Sequence, residues 1–218
     1  MQHSTQGIVL TTTRYKDNAY IVNIFTKDFG KVSYAVYNPQ SKRAKIKLQH
    51  LQPMSLLDME VTHRENKDIQ QLTEAKLHPL SYQLYEHPAK ISICFFLAEV
   101  IQKSIETTNV DHELYQFMVH SLETLVQSKE VQAFPLAFLL DFAKYIGIYP
   151  YDEVENEVIK LLPKEEKELF SVLLKEPQLL GLGERRRSMQ LLIAYYKHYL
   201  PGMGEMKSLS VLTELFSA

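Results

Sequence analysis

The chain has 218 residues, 45% hydrophobic and 23% charged, with a formal charge of −2, an ordinary balance for a globular protein. A single cysteine, Cys94, excludes an internal disulfide and a cysteine-built zinc centre. No apolar run approaches the roughly 18 residues that a membrane-spanning helix takes, and the opening MQHSTQG lacks the charged-then-apolar layout of a secretion signal, so a cytoplasmic location is expected.

The first part of the chain reads as short strands. Residues 7–13 are rich in Ile, Val, Leu and Thr, 14–18 form a polar turn, and 19–26 mix Tyr, Ile, Val and Phe at strand density. The turn Lys27-Asp28-Phe29-Gly30 follows, where glycine takes positive φ without a Cβ clash. Residues 31–37 alternate, with Val32, Tyr34 and Val36 on one face and Ser33, Ala35 and Tyr37 on the other. Pro53 opens a fourth strand at 54–63, a charged turn covers 64–68, and a fifth strand runs 69–78. Short strands of this kind hide their edges by closing into a small barrel, and the five-stranded oligonucleotide/oligosaccharide-binding (OB) barrel fits the count; a sandwich fragment is the alternative.

Around 77–88 the spacing changes. Residues 89–106 place Ile91, Phe95, Ala98 and Ile105 at three-to-four spacing, which predicts a helix. Asp111 reads as the N-cap of a second helix at 112–127. A strongly apolar helix follows at 133–146, stopped by Gly147 and Pro150. Then come a short acidic helix near 154–162, one at 164–175 after Pro163, a long polar one at 184–200, and a last turn or two at 208–216. The expected fold is α+β, with a barrel over 1–80 followed by an all-α domain over 81–218.

The densest charge lies between the third and fourth strands, in NPQSKRAKIKL at 38–48, where Lys42, Arg43, Lys45 and Lys47 fall within six positions. Residues 1–85 carry 11 Lys/Arg against 7 Asp/Glu, and residues 86–218 carry 13 against 19, so the N-terminal part is the one suited to an anionic partner. Arg14 and Lys16 in the first turn, and Lys27 and Lys31 in the second, would join the basic loop on one rim if the barrel closes. A phosphate backbone asks for several cations without base-specific geometry. Tyr15, Tyr34 and Tyr37 offer stacking faces beside them. The plainer readings are a charge run that keeps a loop solvated and tyrosines that fill a core. Arg185, Arg186 and Arg187 open the last long helix, where cations oppose the helix dipole by roughly 0.3–1 kcal/mol each. They would contact phosphate or an acidic protein tail, or else pair with the glutamates of 153–168.

No catalytic constellation is legible. Gly181-x-Gly183 is too short for a phosphate loop, Glu165, Glu166 and Glu168 read as a solvated helix face, and the eight histidines include no i, i+4 pair. A binding protein without cofactor or metal is expected, not an enzyme.

Three stretches, taken in order, resemble the RecO family of DNA-repair mediators: GIVLTTTRYKDNAYIVNIFTKDFGKVSYAV at 7–36, LQPMSLLDMEV at 51–61 and HYLPGMGEMKSLSVLTEL at 198–215. The resemblance is weakest over 130–180. It implies an OB domain and a helical domain, binding of single- and double-stranded DNA, and annealing of complementary strands. It further implies partnership with RecR and the single-stranded DNA-binding protein, loading of RecA, and a place at the nucleoid. Two departures stand out. Many members carry a four-cysteine zinc site after the Gly-Tyr-Pro transition, matched here at 145–150, yet no cysteine follows it. Basic residues that dock the acidic tail of the single-stranded DNA-binding protein often precede the third helix, where this chain has Leu136 and Ala137 before Phe138. An RNA-binding or translation-associated OB protein with a helical interaction module is the alternative, and a hydrolytic or transferase enzyme a third.

Overall fold

Alternating β-branched and aromatic residues form the first strands, and they pair as their alternation dictates. In the computed structural model, which describes residues 1–64, 66–105, 109–151 and 156–215 (side chains to 212), five strands close into a barrel. They are β1 (Gln2–Lys16), β2 (Ala19–Thr26), β3 (Gly30–Tyr37), β4 (Leu56–Thr62) and β5 (Ile69–Leu77), joined in the order β1-β2-β3-β5-β4. The β3–β5 pair is parallel, through Ser33–Ile69, Tyr34–Gln70 and Ala35–Gln71, and the other pairs are antiparallel. This is the OB arrangement.

Strand β1 runs well beyond the expected 7–13. Its first half pairs with β4 and its second half with β2, and a register shift between Val9 and Thr11 bends it from one to the other. The added residues are polar because their outward side chains bond across to β4: Gln6 Nε2 donates to Asp58 at 2.7 Å, and the Ser4 hydroxyl donates to Glu60. At Gly7, where β1 meets both neighbours, a Cβ would lie 2.5 Å from Ile24 Cγ2 and 2.7 Å from Met59 Cε, so glycine permits the close approach. Gly30 takes φ 64° to turn the chain into β3.

Val9, Val22, Ile24, Tyr34, Val36, Leu57 and Val61 fill the barrel, all fully buried. Ile46 and Leu51, from the connection between β3 and β4, are part of the same core. That connection is therefore a folded lid on the barrel and not a frayed excursion; it includes a 3-10 turn at Leu48–His50.

The chain divides into two compact units, Met1–Gln127 and Ser128–Ala218. In the first, α1 (Pro79–Leu84), α2 (Pro88–Ser104) and α3 (His112–Gln127) accompany the barrel. The short helix α1 was not expected; Pro79 opens it and His78 Nδ1 accepts the Leu80 N–H at 3.3 Å. Ile8, Leu10, Phe25 and Leu56 are buried although they stand outside the barrel core. The helices cover this outer face, with the Phe25 and Tyr115 rings stacked 6.4 Å apart. In the second unit lie α4 (Phe134–Tyr145), α5 (Glu157–Lys160), α6 (Lys164–Lys175), α7 (Leu182–Tyr199) and α8 (Leu209–Leu215). Tyr196, buried in α7, donates to the Leu139 carbonyl of α4 at 2.5 Å, and Tyr195 donates to Ile148 at 2.7 Å. The acidic helix expected at 154–162 is described only from residue 156 onward, and residues 106 and 216, the expected ends of two other helices, also lie outside the described residues. Among the described residues, no helix is long and apolar enough to cross a membrane.

Candidate nucleic-acid interface

One end of the barrel gathers two of the basic segments. The β1–β2 turn and the start of the β3–β4 connection are tied by the Asn38 N–H, which donates to the Asn18 carbonyl at 2.7 Å. Asn38 itself sits at φ 50°, a conformation asparagine accepts more readily than most residues. Arg14 lies in the turn, its Nη2 donating to the Asp17 carbonyl at 3.2 Å and standing 3.7 Å from the Asp17 carboxylate. Lys16 Nζ lies 5.3 Å from the centre of the Tyr15 ring. In the connection, Lys42, Arg43 and Lys45 are exposed above the buried Ile46. Lys47 is half-buried and its Nζ donates to the carbonyls of Ser41 at 3.1 Å and Lys42 at 2.7 Å, so it props the loop from within. Lys45 reaches Glu74 of β5 at 3.7 Å. Beneath them, burial and then the Lys47 charge hold the His50 imidazole below its ordinary pKa.

The other two expected cations are placed elsewhere. Strand β2 carries the chain about 23 Å, at ~3.3 Å per residue, from this end to the β2–β3 turn. Lys27 stands there beside a hollow of about 500 Å³ that Asp28, Asp58, Glu60 and Glu74 make acidic, with Lys76 as the other cation. Lys31 points out from β3, and its ammonium donates to the carbonyls of Gln102, at 3.1 Å, and Ile105, where α2 ends.

Next to the basic end runs a groove of about 300 Å³ over the outer faces of β2, β3 and β5. Ile21, Ala35 and Ile69 form its floor, the Tyr15 and Tyr37 rings stand at one side, and Arg64 and Lys67 of the β4–β5 connection at the other. Both tyrosines are 63% exposed. Tyr34 is not a stacking face: it is fully buried in the barrel, and burial pushes its phenol pKa up. Arg64 and Lys67 are not singled out by the sequence, because 64–68 reads as a charged turn whose two cations are matched by two acids. The structural signal is Gln70, 5% exposed. Its Oε1 accepts the Arg64 N–H at 2.8 Å, and its Nε2 donates to the Arg64 and Lys67 carbonyls at 2.8 and 2.6 Å. The clamp holds the backbone of Arg64 and Lys67 while both cationic side chains remain exposed. Aromatic faces in one groove with exposed cations suit a single strand, its bases stacked and its phosphates paired.

Known proteins match the chain over both its barrel and its helices. Residues 1–80 match the family described as Recombination protein O N terminal, and residues 85–153 match Recombination protein O C terminal. The chain is 30% identical to the DNA repair protein RecO of Phocaeicola vulgatus over the full length of both. It is 30% identical to the protein of that name from Bacteroides fragilis, over 99% of this chain and all of the relative. With its counterpart in Azobacteroides pseudotrichonymphae it shares 27% identity over 99% of this chain and all of the relative. The chain belongs to the RecO family.

In this RecO-family chain the second unit presents a different surface. Arg187 lies against Glu166 at 3.4 Å and Glu165 at 3.8 Å, which is the pairing alternative for that residue. Arg185 has its Nε buried without a hydrogen-bond partner, and Arg186 is exposed. Cys94 is buried in α2, where burial pushes its thiol up to about 12. Among the described residues, no three His, Cys, Asp or Glu side chains gather to hold a metal ion.

Proposed function

We propose that this chain is a DNA repair and recombination mediator that binds single- and double-stranded DNA, anneals complementary strands and, with RecR, helps load RecA onto DNA coated by the single-stranded DNA-binding protein. The observation that carries the reading is the groove, lined by two open tyrosine rings together with the exposed Arg64 and Lys67. Arg64 and Lys67 would pair phosphates within the groove, and Arg14, Lys16, Lys42, Arg43 and Lys45, in the two segments next to Tyr15 and Tyr37, would meet the strand beyond it. Lys27 and Lys31 stand outside this groove, at the acidic hollow and at the end of α2. A strand held by its backbone and by one face of its bases keeps its pairing edges available to a complement, and the basic rim raises the rate at which that complement arrives. Duplex DNA is met by the loop cations alone, through phosphates. The expected binding is salt-sensitive and poorly sequence-specific.

The barrel over 1–80 serves as the DNA-binding domain, and the helical residues 81–218 recruit partners. The protein performs this work without bond-making chemistry, in the cytoplasm and at the nucleoid. The test is a fluorescence annealing assay on DNA coated with the cognate single-stranded DNA-binding protein. Tyr15→Ala and Tyr37→Ala should each weaken single-strand affinity by about 1–3 kcal/mol per lost stack and slow annealing in step. Unchanged annealing in the double variant, or displacement of DNA by structured RNA at moderate salt, would remove this reading.

A further inference from the structure

A hollow of about 510 Å³ lies between α6 and the start of α7, within the second unit. Helix α6 turns Phe170 and Leu173 inward, both buried. One step round the helix, Leu169 and Val172 line the hollow together with Leu180. Val172 is 44% exposed, and Leu179 and Leu182, in the segment that leads into α7, are 67% and 49% exposed. Glu165 and Glu168 of α6 and Glu184 of α7 border this apolar floor, against Arg187 as the one lining cation. Arg187 is engaged by Glu165 and Glu166, Lys164 stands 3.9 Å from Glu168, and Glu184 accepts the Gly181 N–H, so four carboxylates face two cations along this border. At Gly183 an added Cβ would meet nothing within 4 Å, so the wall is open there.

An acidic border repels both nucleic acid and an acidic protein tail. An aliphatic floor between two helices takes the apolar stripe of a third, and carboxylates along its margin select cations beside that stripe. We propose that the α6–α7 groove docks an amphipathic helical segment of a partner protein whose apolar residues are flanked by lysine or arginine. The site shares no residue with the barrel groove proposed for DNA and has the opposite charge sign.

The experiment uses the full chain and a fluorescein-labelled synthetic helix with leucines at i, i+3, i+4 and i+7 and lysines beside them, read by fluorescence anisotropy. A twin with glutamate in place of each lysine is the control. The lysine helix should bind and the twin should not. Gly183→Trp should weaken the lysine helix about tenfold or more by filling the groove, with single-strand DNA affinity and unfolding midpoint as in the wild type. The double variant Glu165→Lys/Glu168→Lys, at two exposed positions, should reverse the preference toward the glutamate twin. Three results overturn the proposal: equal binding or no binding of both helices, undiminished binding by Gly183→Trp, or a wild-type dimer in sedimentation that Val172→Asp dissolves. The last would assign the groove to a second copy of this chain.

Discussion

The Lys31 ammonium meets the carbonyls where α2 ends, a place where positive charge complements the helix dipole. Lys31→Met is expected to lower stability by about 0.5–1 kcal/mol in a urea titration while leaving single-strand DNA affinity unchanged. A loss of affinity with stability intact would return Lys31 to the DNA surface. The sequence shows its charge but not its partner, because Gln102 and Ile105 lie some seventy residues away and carbonyls carry no sequence signature. Tyr34 and Tyr37 make the complementary case. Strand alternation places them on opposite faces, and which face is the interior follows from Val32 and Val36 standing with Tyr34. His50 adds a pH dependence. Its folded pKa lies below its ordinary 6.5, so the folded chain takes this proton less readily than the unfolded chain. The contribution to stability is intact above pH 6.5 and declines as the pH falls below that value toward the folded pKa. The denaturation midpoint should drop through that window on acidification, and drop less in His50→Gln.

Among the elements, the β3–β4 connection joins charge to structure most closely. Ile46 is anchored in the barrel core, Lys47 braces the backbone, and Lys42, Arg43 and Lys45 are left outward. Replacing those three with glutamine should flatten the slope of log affinity against log salt by up to about 0.7 per lost contact on single strands. A slope equal to the wild type would exclude the loop from the DNA path. The run of lysines was plain in the sequence, but Ile46 between two of them read as part of a solvated loop. Its burial depends on a barrel end that only closure creates. The same limit explains β1: QHSTQ has no apolar stripe, and its strand character comes from pairing with Asp58 and Glu60 more than fifty residues on. By contrast β2, α3 and α6 have the expected limits, since each has a strong apolar period and a turn or cap at both ends.

Across the whole molecule, charge and packing divide at different places. Positive charge is concentrated before residue 86, whereas the first compact unit runs to Gln127. The helices after the barrel cover Ile8, Leu10, Phe25 and Leu56 on its outer face. A fragment of residues 1–127 should therefore fold and keep salt-dependent single-strand binding, while residues 1–80 alone should expose that apolar face and aggregate. Circular dichroism and light scattering on the two fragments check this, and a monomeric, folded 1–80 fragment would contradict it. The order of a barrel followed by helices was legible because the spacing of apolar residues changes once, near residue 78. The attachment of α1, α2 and α3 to the barrel was not, since an apolar helix face does not name the surface that it covers.

The parallel seam between β3 and β5 is three residue pairs long, the shortest joint in the barrel, and Ala35, Ile69 and Gln71 of that seam also line the groove. A strand lying in the groove crosses this joint as a clasp crosses the gap in a bracelet. On the proposed reading, occupancy would tighten the hoop at its thinnest point, and the protein would be at its most rigid while handling its cargo.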